Sequence, residues 1–571
     1  MPDTLADRLL EVLAAAGVRQ VFGIPGDAIN QVIDGLRRHE ELEFIGFRHE
    51  EAAAFAASAQ AKLTGELTAV VGTSGPGAIH LLNGLYDAKL DHAPVIAITG
   101  QVAGGQLGTH AHQEVDQDLL FADVAVSTQT IADPSQLPRI AIQACQTALD
   151  QRSVVHLAIP TDLAGVEASD EPVHGIARDP RIVTPDRDQL ADAVTLLDRA
   201  QRPVILAGVG SAGAVDDLLE LADTIGAPVI KTLTGKALFA DDHPLTVGGL
   251  GLLGTRPAVK AIENCDALVL AGTDYPYRDF LPHDVPVVQI EREPAHVGRR
   301  VPVTHPLIGG CEQLLPALAA AVTRKEDRSW LEDAQESMRN WRRLMRRFET
   351  DDDTPIKPQR LAAMVGALLD DDAIVVCDTG TVTAWVARHL AIRDGQSFTL
   401  SANLASMAYG VPAAIGAQLA YPERQVVALV GDGSFTMLPS DLITAAELEL
   451  PLTIVVFNNY KLALITAEKQ SEGIPDQDTA IPGRDLAAIA EAFGAEGLRV
   501  EHPEQLETTL AAALRSPRPT VVDVVVDPDE LTIPPKVELA QALGFAQAKV
   551  KEFFGVGQSA GGVGVVSDVL D

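Results

Sequence analysis

Short apolar runs alternate with longer helical stretches, punctuated by glycine, and this pattern restricts the chain to a narrow class of folds. Leu5, Leu9, Val12 and Leu13 mark a helix stopped at Gly17, and Val21-Phe22 follows as a strand. The theme continues with a strand at 44–47, an alanine-rich helix at 50–63, a strand at 68–72, a helix at 78–90 and a strand at 94–99. Apolar residues three and four apart bury one helical face, whereas short β-branched runs bury a strand on both faces. Strands joined by helical crossovers pair in parallel, so the expectation is an α/β fold with ligands at the carboxyl ends of the strands.

The pattern restarts twice. Pro172, Pro180 and Pro185 lie among scattered acids, and Pro203 to Ala207 then opens a second unit. Its further strands fall at 227–230, 267–270 and 285–290. A helical stretch from Trp330 to Phe348 and the acids Asp351-Asp352-Asp353 precede a third unit, with strands at 374–377, 426–430, 453–457 and 521–526. A chain of 571 residues exceeds one ordinary domain. We therefore expect three open parallel-sheet α/β domains at 1–170, 185–330 and 356–530, a helical linker at 331–355 and a C-terminal tail at 531–571.

Apolar residues make up 47% of the chain, enough for large cores, and 44 basic against 79 acidic residues leave a net charge of −35. Such a surface repels nucleic acid and anionic lipid. Cys145, Cys265, Cys311 and Cys377 are far apart and form no C-x-x-C pair, so they read as reduced core residues. The N-terminus has no basic leader and no apolar run reaches bilayer length, which makes the cytoplasm the expected location.

In the third unit the 426–430 strand runs straight into Gly431-Asp432-Gly433, and the 453–457 strand runs straight into Asn458-Asn459. Alone, the first is an ordinary turn and the second an ordinary helix cap. Together, at neighbouring strand tips, an Asp and an Asn with glycines beside them make a hard-oxygen site for Mg²⁺ bridged to a phosphate-rich ligand.

Gly-Asp-Gly followed 24 residues later by Asn-Asn resembles the signature of thiamin-diphosphate enzymes. The resemblance implies Mg²⁺ ligands at Asp432, Asn459 and the Lys461 main-chain carbonyl, with Gly431, Gly433 and Ser434 beside the diphosphate. Arg48-His49-Glu50-Glu51 at a strand-to-helix junction would otherwise be acids favouring a helix N-terminus; by resemblance Glu50 is the acid beside the pyrimidine N1′. Met407 is implied as the wedge between the cofactor rings and the Ala405 carbonyl as acceptor of the amino group. The resemblance also implies that Gly26, Thr73, Gly75, Pro76 and Gly77 line the cofactor. Because the family builds each site from the first domain of one subunit and the third of another, the resemblance also implies a homodimer at minimum and a homotetramer as the expected assembly.

Gly208-Val209-Gly210-Ser211-Ala212-Gly213 in the second unit is a strand-to-helix G-x-G-x-x-G. An NAD site would want an acid at the end of the next strand, where the chain has Ile230-Lys231. Instead Glu291 stands where the flavin-binding branch carries an acid near the adenosine, which supports FAD held by Gly208, Gly210, Gly213, Thr273 and Glu291. Strings such as Arg48 to Ala57, His80 to Leu85, Gly272 to Phe280 and Ile533-Pro534-Pro535 are most similar to the pyruvate oxidase and pyruvate:quinone dehydrogenase branch. Gln113 and Glu468 then border the substrate. The resemblance implies oxidative decarboxylation of pyruvate or a similar 2-oxo acid to acetate or acetyl phosphate, through a thiamin enamine oxidised by FAD, with electrons passed to quinone or O₂.

Three departures weaken the oxidative reading, and the first of them favours a non-oxidative one. His112 replaces a common Phe and can donate a proton, Leu464 replaces a larger apolar residue, and Gly309-Gly310-Cys311 replaces a Gly-Asp pair. The alternatives are an acetolactate synthase-like carboligase or simple decarboxylase, and an inactive scaffold of the same fold, which intact Glu50, Asp432 and Asn459 argue against. The 537–554 stretch reads as an amphipathic helix with few bases, so peripheral membrane contact is not favoured. Arg339, Arg342, Arg343, Arg346 and Arg347, at helical spacing, read as a solvated or interdomain face.

Overall fold

The computed structural model describes residues 4–168 and 186–530, together with 171–173, 175, 176, 183 and 548. The amphipathic reading of the tail lies outside the described residues. Three six-stranded sheets, flanked by helices, follow one another along the chain. The first contains β1 (Gln20–Gly23), β2 (Glu43–Gly46), β3 (Thr68–Gly72), β4 (Val95–Gln101), β5 (Ser127–Thr130) and β6 (Val154–Pro160), in the order β2-β1-β3-β4-β6-β5. The second contains β7 (Pro203–Ala207), β8 (Val229–Lys231), β9 (Thr246–Gly249), β10 (Ala267–Ala271), β11 (Val287–Glu291) and β12 (His305–Ile308), ordered β12-β11-β10-β7-β8-β9. The third contains β13 (Ile374–Cys377), β14 (Ser397–Leu400), β15 (Val426–Gly431), β16 (Leu452–Asn458), β17 (Glu496–Val500) and β18 (Thr520–Val525), ordered β14-β13-β15-β16-β18-β17.

Every strand pair is parallel, as the helical crossovers require. The first and third sheets share one order: second, first, third, fourth, sixth, fifth. The Glu50–Thr64 helix after β2 and the Gly410–Ala420 helix after β14 therefore occupy equivalent places, and they pack on one another. Seven alanines of the former are buried, and a Cβ on Gly416 of the latter would lie 2.2 Å from the Ala56 carbonyl oxygen. Small residues on both helices let the backbones touch, and one apolar core runs through both units, from Phe22 and Phe55 to Tyr409 and Val456.

Two local expectations are corrected. The 78–90 helix is two segments, Pro76–His80 and Leu82–Leu90, meeting at Leu81, whose dihedrals of −63° and −25° keep the direction helical. The G-x-G-x-x-G stretch does not lead straight from strand into α-helix. Val209–Ala214 winds as a tighter 3₁₀ turn before the Val215–Ile225 helix begins. The four cysteines are buried and free. In the Ser329–Glu349 helix Arg342 donates to the Asp241 carbonyl, while Arg339, Arg343, Arg346 and Arg347 are exposed, so this face is both interdomain and solvated.

At the junction of the first and third units Asp441 is fully buried. Its Oδ1 accepts from the Arg48 amide at 2.8 Å and the Thr444 hydroxyl at 3.3 Å, while Oδ2 has no partner. Burial, only partly offset by these donors, pushes its carboxyl up to about 6. The native state then binds this proton more tightly than the unfolded chain, so stability falls as pH rises from about 4 through 6, by about 3 kcal/mol for a shift of this size. In thermal melts Asp441→Asn should lose less stability than the wild type between pH 4 and pH 7. Parallel pH profiles for the two proteins would contradict this.

Candidate active site

His49 ends the connection from β2, and its ring nitrogen accepts from the Glu51 amide, capping the helix that begins at Glu50. This places Glu50 in the first turn, where the helix dipole favours an anion. The residue is 8% exposed, and its Oε2 lies 3.0 Å from His80 Nδ1. The His80 ring stacks on His49 at 4.6 Å between centroids and is partly open to solvent. Ligand atoms of His49, Glu50 and His80 lie within 4.8 Å of one another. The direct Glu50–His80 bond suits a buried acid that exchanges protons with a solvent-facing imidazole.

The tip of β3 packs against this acid. A Cβ on Gly77 would sit 3.3 Å from Glu50 Oε1, and one on Gly75, at φ +64°, would sit 2.8 Å from the Gln113 carbonyl oxygen. Pro76 starts the short helix between them. Gly26 lies against Thr73, whose hydroxyl donates to Asp27. Glu50, Gly26, Thr73, Gly75, Pro76, Gly77 and Gln113 are thereby gathered at the carboxyl edge of the first sheet. Gln113 takes a left-handed φ of +62°, and the neighbouring His112 is exposed.

In the third sheet β15 and β16 are adjacent and in register to Gly431 opposite Phe457, so Asp432 and Asn459 leave neighbouring tips on the same edge. Asp432 is 3% exposed. Its Oδ1 accepts from the Gly433 amide at 2.9 Å, and its Oδ2 is buried with no hydrogen-bond partner. Burial, only partly offset by amide donors, pushes this carboxyl up to about 6. Asn459 Oδ1 accepts from the Lys461 amide across a turn in which Tyr460 has φ +56°. The Lys461 side chain points toward Asp476 and Asp529, at 3.3 and 3.8 Å, so its ammonium is engaged elsewhere. Ser434 donates to the Thr379 carbonyl at 3.3 Å. A Cβ on Gly433 would crowd Leu462, Ile481 and the Met407 methyl.

Ala405 and Ala408 both have positive φ, at +55° and +71°, and they bend the loop that presents Met407 beside Gly433. Sequence reasoning missed the residues that hold this loop. Asp378, at the tip of β13, accepts from the Gly410 amide at 2.8 Å and the Thr379 amide at 2.7 Å. Asn83 donates to Glu51 at 2.6 Å and to Ser406 at 3.0 Å, joining the neighbour of Glu50 to the Met407 turn. Asp378-Thr379-Gly380 offered a signal, because it runs off its strand as Gly431-Asp432-Gly433 does; Asn83 offered none. Glu468 is exposed on the Ala463–Ser471 helix that follows Lys461.

The second-unit candidates form a separate group. Cβ atoms on Gly208 and Gly210 would meet the Gly272 carbonyl oxygen at 2.4 and 2.8 Å, so these glycines let two strand-end turns touch. Gly213 abuts the Glu312 side chain. Glu291 ends β11 and accepts from the Glu293 amide, and burial raises its carboxyl. A small cleft lies between Thr273, Asp274, Tyr275, Gln289, His296 and Arg300. The Tyr275 hydroxyl is buried without a partner, and a Cβ on Gly251 would lie 2.8 Å from it.

Three family models match the chain in order. The N-terminal TPP binding domain of thiamine pyrophosphate enzymes matches residues 3–120, their central domain 190–318 and their C-terminal TPP binding domain 378–524. The chain is 42% identical over 556 residues, 96% of each chain, to the Bacillus subtilis protein YdaP, described only as thiamine pyrophosphate-containing. It is 31% identical to the pyruvate oxidase of Lactiplantibacillus plantarum, covering 94% of this chain and 91% of that one. It is 32% identical to the large subunit of Escherichia coli acetolactate synthase isozyme 2, covering 91% and 95%. With three matched domains laid over three six-stranded parallel sheets, the chain belongs to the thiamine pyrophosphate enzyme family.

Proposed function

We propose that this enzyme decarboxylates pyruvate, or a similarly small 2-oxo acid, oxidatively to CO₂ and acetate or acetyl phosphate, using thiamin diphosphate, Mg²⁺ and FAD and passing electrons to quinone or O₂. The observation that carries the cofactor site is the buried, unpartnered Asp432 Oδ2 at a strand tip neighbouring the one Asn459 leaves, because a hard divalent cation satisfies oxygen donors that water cannot reach. Asp432, Asn459 and the Lys461 carbonyl would hold Mg²⁺, with Gly431, Gly433 and Ser434 beside the diphosphate. Ala405 and Met407 would shape the ring pocket. Thiamin diphosphate supplies the electron sink for the carbon that loses CO₂, and FAD supplies a two-electron acceptor. Glu50, buried at a helix start, would serve as the acid beside the pyrimidine, and His80, 3.0 Å away and partly open to solvent, would link it to water. Gln113 and Glu468 would border the substrate.

The cleft with Asp274, Gln289 and Arg300 among its lining residues supports a polar nucleotide in the second unit. A second reading, a carboligase of the acetolactate synthase kind, is favoured by one observation. Gly208, Gly210 and Gly213 are already required by contacts within the protein, so their pattern needs no dinucleotide. Carbon-13 NMR of products from pyruvate, with FAD and an artificial electron acceptor, separates the readings. Acetate or acetyl phosphate with acceptor reduction supports the first; acetolactate or acetaldehyde overturns it. We also propose a homodimer or homotetramer in which subunits share sites, tested by mass measurement in solution. Replacing Asp432 by Asn removes a charged ligand and should weaken Mg²⁺-dependent binding of thiamin diphosphate by about 100-fold, read by calorimetry with and without a chelator. Unchanged binding would remove Asp432 from the metal site.

A further inference from the structure

The helix that starts at Glu50 carries Lys62 near its other end. Lys62 Nζ lies 2.7 Å from Asp87 Oδ2, 2.7 Å from Asp91 Oδ2 and 2.9 Å from the Leu400 carbonyl oxygen, and 4.7 Å from the centre of the Tyr409 ring. Ser58 donates to the same Asp87 oxygen at 2.6 Å. All three charged side chains are buried or nearly so, with 11% of Lys62, 4% of Asp91 and none of Asp87 exposed.

Asp91 caps the carboxyl end of the Leu82–Leu90 helix, where the helix dipole opposes a negative charge. Its donors offset both that field and the burial. Besides Lys62, they are the Ala402 amide at 3.0 Å, the Asn403 amide at 3.0 Å and Asn403 Nδ2 at 2.9 Å. Burial alone would raise this carboxyl, but Lys62 and these donors outweigh it and hold it below the usual range. Burial likewise opposes the Lys62 charge, and the two carboxylates overcome it and keep the ammonium protonated. Asp87 is raised by burial and by the neighbouring Asp91, and its second oxygen has no partner.

A buried ion cluster that strains against a helix dipole and leaves an oxygen unpaired is a poor way to gain stability, since well-packed apolar residues would serve as well. What it does is join parts. Lys62 and Ser58 belong to the Glu50 helix, Asp87 and Asp91 to the next helix of the first unit, and Ala402 and Asn403 to the third-unit loop that carries Ala405 and Met407. We propose that Lys62, Asp87 and Asp91 are positioning residues, a clamp that sets the Ala405–Met407 loop against the first unit and so fixes its shape for the cofactor. The proposal rests on the functional reading above only for what the loop holds; the clamp on the loop is independent of it.

Backbone hydrogen exchange on the protein without cofactor tests the clamp directly. Removing one partner of a buried ion cluster can unfold a protein, so Asn403→Ala, which removes only the loop's side-chain hold on Asp91 and the Leu90 carbonyl, is the deciding variant, with Lys62→Met and Lys62→Arg beside it. The 401–407 segment should exchange about 10-fold faster in Asn403→Ala and Lys62→Met, and near the wild-type rate in Lys62→Arg, while peptides from the sheets stay protected. Thiamin diphosphate affinity should fall about 10-fold in the same two variants and recover in Lys62→Arg, with the KM for pyruvate at saturating cofactor nearly unchanged. Exchange in 401–407 that matches wild type, or that rises only together with the sheets, overturns the clamp. So does faster exchange in that segment with unchanged cofactor affinity. A wild-type protein that binds no thiamin diphosphate would instead overturn the functional reading, leaving the exchange comparison to decide the clamp.

Discussion

Glu50→Gln is expected to lower kcat on pyruvate by about 1,000-fold, within the range that a positioned acid contributes, while weakening thiamin diphosphate binding less than about 10-fold. Gln retains the length and a hydrogen-bonding oxygen but carries no exchangeable acid proton. On the proposed reading that proton is the one the cofactor needs. The His49 cap places the carboxyl at a helix start, burial isolates it, and His80 at 3.0 Å links it to solvent. Hydrogen–deuterium exchange at the thiazolium C2 of bound cofactor should slow in parallel with kcat. A variant within about 3-fold of wild type in both rates would remove Glu50 from the acid's role.

Gly416→Val is expected to damage the fold severely. The first and third units meet through the Glu50–Thr64 and Gly410–Ala420 helices, and a Cβ at 416 would already lie 2.2 Å from the Ala56 carbonyl oxygen and 2.9 Å from its carbon. Backbone cannot yield as a flexible side chain can. The helices must separate, opening a core that both units share, at a cost of about 3 kcal/mol or more. Separation also shifts the Met407 loop that leads into the Gly410–Ala420 helix, so cofactor affinity should fall with stability. Gly105→Ala, where a Cβ meets nothing within 4 Å, is the control and should melt as wild type. Equal melting temperatures for the two variants would contradict the shared-core account.

The legible parts of the site were those whose meaning lies within a few residues. Gly431-Asp432-Gly433 and Asn458-Asn459 could be placed on one edge because parallel strands joined by crossovers must end their carboxyl tips together, and β15 and β16 do so. Glu50 could be placed at a helix start because a strand ends just before it and an alanine-rich helix follows, where acids favour the N-terminal dipole. Asp378 could have been found the same way, as the residue that leaves β13.

Other features had no local signal. The G-x-G-x-x-G string read as a nucleotide turn, yet its first two glycines answer to Gly272, more than sixty positions away in the chain. Asn83 and Ser406 meet across 323 positions, and Lys62 and the Leu400 carbonyl across 338. Composition could not show that seven alanines on one helix are a docking face rather than simple helix formers.

By itself, then, the sequence determined the parallel α/β architecture, the family and the place of Asp432 and Asn459 at neighbouring strand tips, because hydrophobic period, crossover geometry and the turn chemistry of Gly, Asp and Asn all act locally. Only the tertiary structure decided the glycine-to-carbonyl contact between two helices, the burial of the Lys62 cluster and the unpaired Asp432 oxygen. Those depend on which surfaces close-pack and which charges lose their water, and neither is defined until distant segments have come together.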